Sequence, residues 1–202
     1  MKPLTVILAA GDFPKRNGAA WRILVAAKRV IACDSAADAY RRRFHKWPDV
    51  IIGDLDSFSR PNLFPVPYSL IPVPDQDTND LEKAMAYCAK RGWRNPVIVG
   101  ATGKREDHTI GNVFRALDYG LEIVTDRGRF IPVRGKAVLK VRTGAAVSVF
   151  APDPKTRMVS KGLEWPLEGV KFRNLYCANL NRATATRVTL TANRPVSIYI
   201  ET

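Results

Sequence analysis

The stretch Ile51-Ile52-Gly53-Asp54-Leu55-Asp56-Ser57 decides how the rest of the chain is interpreted. With Val50 before it, a short apolar run reaches a glycine, which is typical of a buried strand that ends in a turn. Side chains two residues apart in an extended chain point the same way, so Asp54 and Asp56 would project together from the strand end. Two such carboxylates repel each other unless a cation lies between them, and Mg²⁺ is a suitable cation. The alternative is a turn in which both acids cap backbone amides.

Apolar runs alternate with helical patterns throughout residues 1–125. This alternation predicts a parallel sheet with helices on both faces. In such sheets the ligand crevice lies beyond the carboxyl ends of the strands. The predicted strands are followed by chemically similar groups: Asp34 after 29–33, Asp54 and Asp56 after 50–52, the acidic segment 75–80 after 68–73, and the loop 100–108 after 97–99. We therefore expect one shared rim of acids and glycines.

The acidic segment contains Asp77, Asp80 and Lys83 at a spacing of three residues. That spacing puts them roughly on one face of the helix predicted to run to about Arg91. One interpretation is a cluster that serves a metal and phosphates. The other is purely structural: Asp77 caps the helix, Asp80 suits the helix dipole, and Lys83 pairs with Asp80.

The loop Gly100-Ala101-Thr102-Gly103-Lys104-Arg105-Glu106-Asp107-His108 leads from a predicted strand into a helix expected over 109–119, which Asp107 would cap. Glycines and adjacent basic residues at such a junction indicate phosphate binding. The loop is not a P-loop, because its glycines are too close and Arg105 stands where Ser or Thr should follow the lysine. His108 is a candidate ligand or base, or else a hydrogen-bonded histidine at the helix start. Asp34-Ser35 is a second strand-to-helix junction and a further candidate anion site.

Beyond Asp126-Arg127-Gly128 the pattern changes to short β-branched runs at 137–141, 146–150, 156–160, 183–191 and 196–200, without a convincing helix. We therefore predict an α/β class: an N-terminal parallel-sheet α/β domain over 1–128, followed by a small C-terminal antiparallel β-sandwich domain over 129–202. Three widely spaced cysteines indicate reduced thiols and a cytoplasmic protein. No apolar run approaches the length of a membrane helix. The net charge of +13 favours anionic partners such as nucleotide phosphates or nucleic acid.

Five segments, in this order, resemble the thiamine pyrophosphokinase family. Gly53–Ser57 is similar to its G-D-x-D-S element, and Asp75–Lys83 to its acidic segment ending in T-D-x-x-K. Gly100–His108 is similar to its G-x-x-G-G-R-x-D-H loop. Gly162–Leu167 and the pair Ala178-Asn179 are similar to its late G-L-x-W/Y element and its Ser-Asn pair. Each motif alone is weak, whereas five in order are specific and span nearly the whole chain.

The resemblance implies a homodimer that transfers pyrophosphate from ATP to thiamine and releases AMP, with no nucleic acid or membrane partner. It implies Asp54, Asp56, Asp77 and Asp80 as catalytic residues, the first three of them as Mg²⁺ ligands. The residues implied to serve ATP are Asp34, Ser35, Lys83, Thr102, Gly103, Arg105, Asp107 and His108. Trp165 and Asn179 would meet thiamine, across the dimer interface, although a tryptophan is also an ordinary core residue. The chain departs from the family pattern at Ser35-Ala36, where the family has two glycines, and at Asn79 for threonine, Lys104 for glycine and Ala178 for serine.

Two other functions remain open at this point. Leu8-Ala9-Ala10-Gly11 followed by Arg16, together with the paired aspartates, is also compatible with a Mg²⁺-dependent nucleotidyltransferase, which would release pyrophosphate instead of AMP. A basic nucleic-acid-binding protein is the third possibility, although the chain lacks a stripe of interleaved aromatic and basic residues.

Overall fold

The computed structural model describes residues 4–54, 68–75 and 77–202. The chain divides into two compact units, the first comprising Met1–Arg115 and Ile123–Asp126 and the second Ala116–Glu122 and Arg127–Thr202. Ala116–Glu122 thus groups with the second unit, although the sequence analysis placed it in the first domain. None of the described helices has both the length and the apolar character needed to cross a bilayer.

The first unit alternates strands and helices as the sequence predicts. Its elements are β1 (Thr5–Leu8), α1 (Ala19–Ala26), β2 (Arg29–Cys33), α2 (Ala36–Phe44), β3 (Val50–Gly53), β4 (Ser69–Pro72), α3 (Asp80–Lys90), β5 (Val97–Val99), α4 (Glu106–Asp118) and β6 (Ile123–Val124). The strands lie in the order β6-β5-β1-β2-β3-β4, and all of their pairings are parallel. The predicted parallel α/β fold is therefore confirmed.

The composition of the central strands explains this architecture. All four residues of β1 and of β3 are buried, and so are Val30–Cys33 of β2. Strands covered on both faces have no need to alternate polar with apolar residues, so they form continuous aliphatic runs. By contrast, no residue of β4 is fully buried; this strand contains Pro72 and forms the edge of the described sheet.

The order of the strands determines where a ligand can bind. Progress along the sheet changes direction at β1, which has β2 on one side and β5 on the other. In parallel α/β sheets such a switch leaves a crevice at the carboxyl ends of the strands that flank it. The loops after β1, β2 and β5 are therefore placed to form a binding site.

Two helix starts differ from the sequence expectation. Asn79, and not Asp77, is the N-cap of α3, and its side-chain oxygen accepts a hydrogen bond from the backbone N–H of Glu82 at 2.9 Å. Asp77 lies in the turn before the helix, where its N–H donates to Asp75 Oδ1. The fourth helix begins at Glu106, so Asp107 lies within its first turn, where an acid suits the helix dipole.

The second unit is an antiparallel β domain with strands β7 (Gly128–Lys140), β8 (Ala146–Phe150), β9 (Met158–Lys161), β10 (Ala178–Arg182) and β11 (Arg187–Glu201). The long strands β7 and β11 pair from Gly128↔Glu201 to Lys140↔Arg187, with an irregularity between Ala192 and Val196. On either side of it, β11 takes different second neighbours, β9 and β8. All of these pairings are antiparallel, so the predicted C-terminal domain of antiparallel strands is confirmed.

Two features of this unit escaped sequence prediction. We expected the first strand to begin at residue 137, yet β7 begins at Gly128 and continues through Pro132 and Gly135. Strand β10 was not predicted, because Ala-Asn-Leu-Asn-Arg has little β propensity. Pairing with β8 holds this strand in place, and it accommodates Leu180 at a φ of 64°.

Candidate functional site

A cleft of about 310 Å³ lies at the switch point of the first unit. It is lined by residues that follow β1 and β5, by Cys33 at the end of β2, and by residues at the starts of α3 and α4. They are Ala9, Ala10, Gly11, Cys33, Asn79, Asp80, Leu81, Ala101, Gly103, Lys104, Arg105, His108 and Asn112. The crevice therefore occurs where the strand order requires it.

The loop after β1 is held against the loop after β5 by backbone hydrogen bonds. The N–H of Gly11 donates to the carbonyl of Gly100 at 2.8 Å, and the N–H of Asp12 donates to the carbonyl of Thr102 at 2.8 Å. A Cβ on Gly11 would lie 2.5 Å from the carbonyl oxygens of both Gly100 and Thr102. Only glycine allows the two loops to come this close. Their hydrogen-bonded contact forms one wall of the cleft.

Three carboxylates converge beside the cleft. One ligand oxygen from each of Asp34, Asp54 and Asp80 lies within 4.8 Å of the others. Asp34 follows β2, Asp54 follows β3, and Asp80 opens α3. Gly53 makes this convergence possible, because a Cβ there would meet Asp34 Cβ at 3.1 Å and Asp80 Cγ at 3.2 Å. Three of the acids expected on a shared rim therefore lie together.

The donor chemistry of this cluster fits a hard divalent cation. Carboxylate oxygens are the side-chain ligands that Mg²⁺ and Ca²⁺ prefer. Three negative charges at this separation repel one another, and a bound cation removes that cost. Asp34 is buried, and its backbone adopts a φ of 42°, a conformation that Asp tolerates better than most residues.

Asp80 has a basic partner. Lys83 Nζ donates to Asp80 Oδ1 at 3.2 Å, and the lysine side chain is only 4% exposed. A buried ammonium paired with one carboxylate of the cluster lowers the net negative charge there. The predicted pairing of Lys83 with Asp80 is present, and it coexists with the membership of Asp80 in the cluster.

A chain of amide hydrogen bonds joins the start of α3 to the loop after β5. Asn79 Nδ2 donates to Asn112 Oδ1 at 3.2 Å, and Asn112 Nδ2 donates to the carbonyl of Ala101 at 2.9 Å. The same Asn79 caps α3, which opens with Asp80. Asn112, which is buried, thus links the carboxylate cluster to the cleft loop. Sequence reasoning missed Asn112, although its position on α4, one turn beyond His108, was a usable signal.

The loop expected to bind phosphate lies at the opening of the cleft. Thr102 is half buried, Gly103 has a φ of 79°, and His108 is exposed in the first turn of α4. Arg105 and Asp107 form a two-point ion pair, in which Nη2 donates to Oδ2 at 2.6 Å and Nε to Oδ1 at 3.1 Å. Both side chains are more than half exposed. The hydrogen bonds from Arg105 hold the pKa of Asp107 at about 2.

This depressed pKa has a measurable consequence. A carboxyl whose pKa is lowered on folding adds stability above its ordinary pKa, near 4, and this stability is lost as the pH falls from about 4 to about 2. In Arg105→Gln we expect the pKa of Asp107 to rise towards its ordinary value, as measured by NMR titration of the carboxyl carbon. Arg194→Gln removes the exposed pair with Asp153 and should leave the titration of Asp107 unchanged. An unchanged Asp107 pKa in Arg105→Gln would contradict the assigned cause.

Three further residues predicted to belong to the site are not among these converging acids in the described part of the chain. Asp77 is exposed and is not one of the three converging acids. Asp56 lies outside the described residues. Ser35 precedes α2 as its N-cap, without a side-chain capping hydrogen bond. The roles expected of these three residues stay predictions.

The two residues expected to meet thiamine lie in the second unit. Trp165 is 54% exposed and is therefore no core tryptophan. Buried Asn181 holds its backbone, since Asn181 Nδ2 donates to the carbonyl of Trp165 at 2.7 Å and Asn181 Oδ1 accepts from its N–H. Asn179 lies in β10, and its side-chain oxygen is buried without a hydrogen-bond partner among the described residues.

Comparisons with known proteins agree with this arrangement. Residues 20–124 match the family described as "Thiamin pyrophosphokinase, catalytic domain", and residues 128–199 match "Thiamin pyrophosphokinase, substrate-binding domain". The chain is 26% identical over 195 residues to "Thiamin pyrophosphokinase 1" of Caenorhabditis elegans, covering 87% of this chain and 79% of the relative.

Two solved structures illustrate the shared fold. A thiamin pyrophosphokinase from Geobacillus thermodenitrificans superposes with a TM-score of 0.76 at 20% identity, covering 98% of this chain and 97% of the other. One from Candida albicans gives a TM-score of 0.76 at 16% identity, with coverages of 98% and 89%. With both parts of its sequence matched in order, this chain belongs to the thiamin pyrophosphokinase family.

Proposed function

We propose that this protein is a thiamine pyrophosphokinase that transfers a pyrophosphoryl group from ATP to the hydroxyl of thiamine, giving thiamine diphosphate and AMP. The observation that carries the proposal is the convergence of Asp34, Asp54 and Asp80 beside a switch-point cleft, in a chain whose two parts match the two domains of that family. The hydroxyl oxygen forms a bond to the β-phosphorus. The bond from that phosphorus to the oxygen it shares with the α-phosphorus breaks, and AMP leaves with the shared oxygen while the hydroxyl loses its proton.

In the first unit, one set of residues would bind the metal and another the nucleotide. Asp34, Asp54 and Asp80 would hold Mg²⁺, with Asp56 and Asp77 as further proposed ligands. When bound, this ion neutralises charge on the phosphate oxygens. Lys83 holds the carboxylate of Asp80 in place through their hydrogen bond. ATP would occupy the cleft, with its phosphates near Thr102, Gly103, Arg105 and His108.

The second unit would supply the thiamine site. We propose a homodimer in which Trp165 and Asn179 of one protomer contribute to thiamine binding at the nucleotide site of its partner. An exposed indole suits a thiazolium cation, because the ring face attracts positive charge by roughly 0.5–2 kcal/mol. The hydrogen bonds between Asn181 and the Trp165 backbone support this role. They hold the backbone in place while the indole stays exposed.

Removing the indole tests this assignment. In Trp165→Ala we expect the KM for thiamine to rise roughly 2- to 30-fold, the range that corresponds to loss of the cation–π attraction. The KM for ATP should not change. Trp165→Phe keeps an aromatic face and should recover part of the affinity. Equal thiamine affinity in the wild type and in Trp165→Ala would exclude Trp165 from the thiamine site.

One assay tests the reaction itself. The purified protein is incubated with ATP, Mg²⁺ and thiamine, and the products are identified by mass. Thiamine diphosphate and AMP in equal amounts are the expected result. Release of pyrophosphate with a nucleotidylated product would instead favour the nucleotidyltransferase. Salt-sensitive binding of RNA or DNA without ATP turnover would favour the nucleic-acid-binding protein.

We further propose the cytoplasm as the compartment, and thiamine and ATP, with no nucleic acid or membrane, as partners. Cys33, Cys88 and Cys177 are free thiols, which is the usual state of cysteines in a reducing compartment. Cys33 and Cys88 are buried, and burial raises the pKa of both, that of Cys88 to about 12. Such thiols are protonated and unreactive at neutral pH.

A further inference from the structure

We propose that Lys104 is an additional phosphate-binding residue, whose ammonium brings to the cleft a positive charge that is not ion-paired with any carboxylate of the described residues. This inference rests on the proposed function, because the anion it would bind is the triphosphate of ATP. It assigns a role to a side chain that the family motif does not account for.

The backbone of Lys104 is the first observation. Its φ is 54°, in the left-handed region that side chains other than Gly, Asn and Asp avoid. Most of the other non-glycine residues with positive φ are of tolerant types: Asn17, Asp34, His45 and Asn95. A lysine held in this conformation is energetically unfavourable, and such conformations are concentrated at functional sites.

The position of the ammonium is the second observation. Lys104 Nζ donates a hydrogen bond to the carbonyl of Ala10 at 2.8 Å. Ala10 follows β1, whereas Lys104 lies in the loop after β5, so the side chain crosses between the two loops that line the cleft. The carbonyl uses one of the three N–H donors and leaves two for a ligand.

The charge balance is the third observation. Arg105 is paired with Asp107, and Lys83 is paired with Asp80. Lys104 forms no ion pair with any carboxylate in the described part of the chain, and its hydrogen-bond acceptor is a neutral carbonyl. An anion entering the cleft therefore meets one unneutralised ammonium at this wall. The ammonium would act alongside a metal held by Asp34, Asp54 and Asp80. A triphosphate has several charged oxygens and can bind the ammonium and the metal at the same time.

The experiment uses three variants of Lys104 and one matched control. Lys104→Gly removes the ammonium and relieves the backbone, Lys104→Asn removes the ammonium while tolerating positive φ, and Lys104→Arg keeps the charge. Asn95→Gly is the control, because Asn95 has a φ of 55° and is exposed outside the cleft. For each protein we measure the thermal unfolding midpoint and the KM values for ATP and thiamine in the full reaction.

We expect the KM for ATP to rise about 10-fold in Lys104→Gly and Lys104→Asn, the scale of one lost hydrogen bond to a charged group. Their KM for thiamine should stay within twofold of the wild type, and the unfolding midpoint of Lys104→Gly should be equal or higher. Lys104→Arg should keep the KM for ATP within about threefold. Asn95→Gly should leave both KM values unchanged.

Two results would overturn the inference. One is a KM for ATP within twofold of the wild type in both Lys104→Gly and Lys104→Asn. The other is a Lys104→Arg variant as impaired as Lys104→Gly, which would assign the effect to loop shape and not to charge. In either case the wild type still converts thiamine and ATP, so the proposed function stands. If the wild type makes no thiamine diphosphate, the function itself is wrong, and calorimetric titration of ATP into the same variants then decides whether Lys104 binds phosphate.

Discussion

Asp54→Asn is expected to lower kcat about 10²-fold or more, the scale of losing one preorganised electrostatic group. Asparagine has nearly the shape of aspartate but carries no charge, so the change removes one of the three negative ligands that converge beside the cleft. The Mg²⁺ concentration needed for half-maximal activity should rise at the same time. The matched control is Asp118→Asn, at an exposed aspartate of the second unit, which should retain full activity.

A stability measurement separates this catalytic role from a structural one. Asp34, Asp54 and Asp80 repel one another in the absence of a cation, so Asp54→Asn should unfold at an equal or higher temperature than the wild type in metal-free buffer. Adding Mg²⁺ should stabilise the wild type, because a ligand that binds only the folded state raises its stability. That increase should be absent or much smaller in Asp54→Asn. Near-normal turnover in this variant, or an unchanged response to Mg²⁺, would remove Asp54 from the metal site.

Gly11→Ala is expected to have the second large effect, a simultaneous loss of stability and of ATP binding. The new Cβ would lie 2.5 Å from two backbone oxygens, so the loops after β1 and β5 must separate. Overpacking of this kind costs about 1–3 kcal/mol, which lowers the unfolding midpoint by about 2–4 °C per kcal/mol in a domain of this size. Separation of the loops also breaks the hydrogen bond from Gly11 to Gly100, so the KM for ATP should rise with the loss of stability.

Gly111→Ala is the matched control, and the expected change in its stability has the opposite sign. Gly111 lies within α4, and apart from the helix's own backbone and its chain neighbours a Cβ there would meet no atom of the described residues within 4 Å. Alanine is favoured over glycine in a helix interior by about 0.5–1 kcal/mol, so this variant should melt higher than the wild type. Equal stability of Gly11→Ala and the wild type would contradict the packing of the two loops described here.

Much of the fold and part of the site follow from sequence alone, for a physical reason. A parallel strand covered on both faces must be continuously apolar, so Val50–Ile52 was recognisable as a strand from its composition. The carboxyl ends of such strands share an edge, so the sequence predicts that Asp34 and Asp54 lie near each other. The same reasoning included Asp80, because α3 follows the neighbouring strand β4.

Side-chain networks that depend on tertiary contacts were not predictable in this way. Asp77 and Asn79 are both good capping residues, and Asn79, which caps the helix, also donates a hydrogen bond to Asn112. That contact joins positions 33 residues apart in sequence. The exposure of Trp165 depends equally on a distant partner, the buried Asn181. Strand β10 forms despite its weak β propensity because it pairs with β8. The local sequence does not indicate this pairing.

The register of β7 with β11 has a consequence for how the protein is made. Gly128 of β7 pairs with Glu201 of β11, so this pair of strands is completed only after the whole of β11 has left the ribosome. Contacts this distant in sequence are slow to form, because the intervening loop must close first. The parallel first unit is synthesised earlier and can begin to fold while the strands of the second are still emerging. Until β11 has emerged, β7, β8 and β9 lack their shared neighbour, and during this interval the nascent chain exposes unpaired strand edges that favour aggregation.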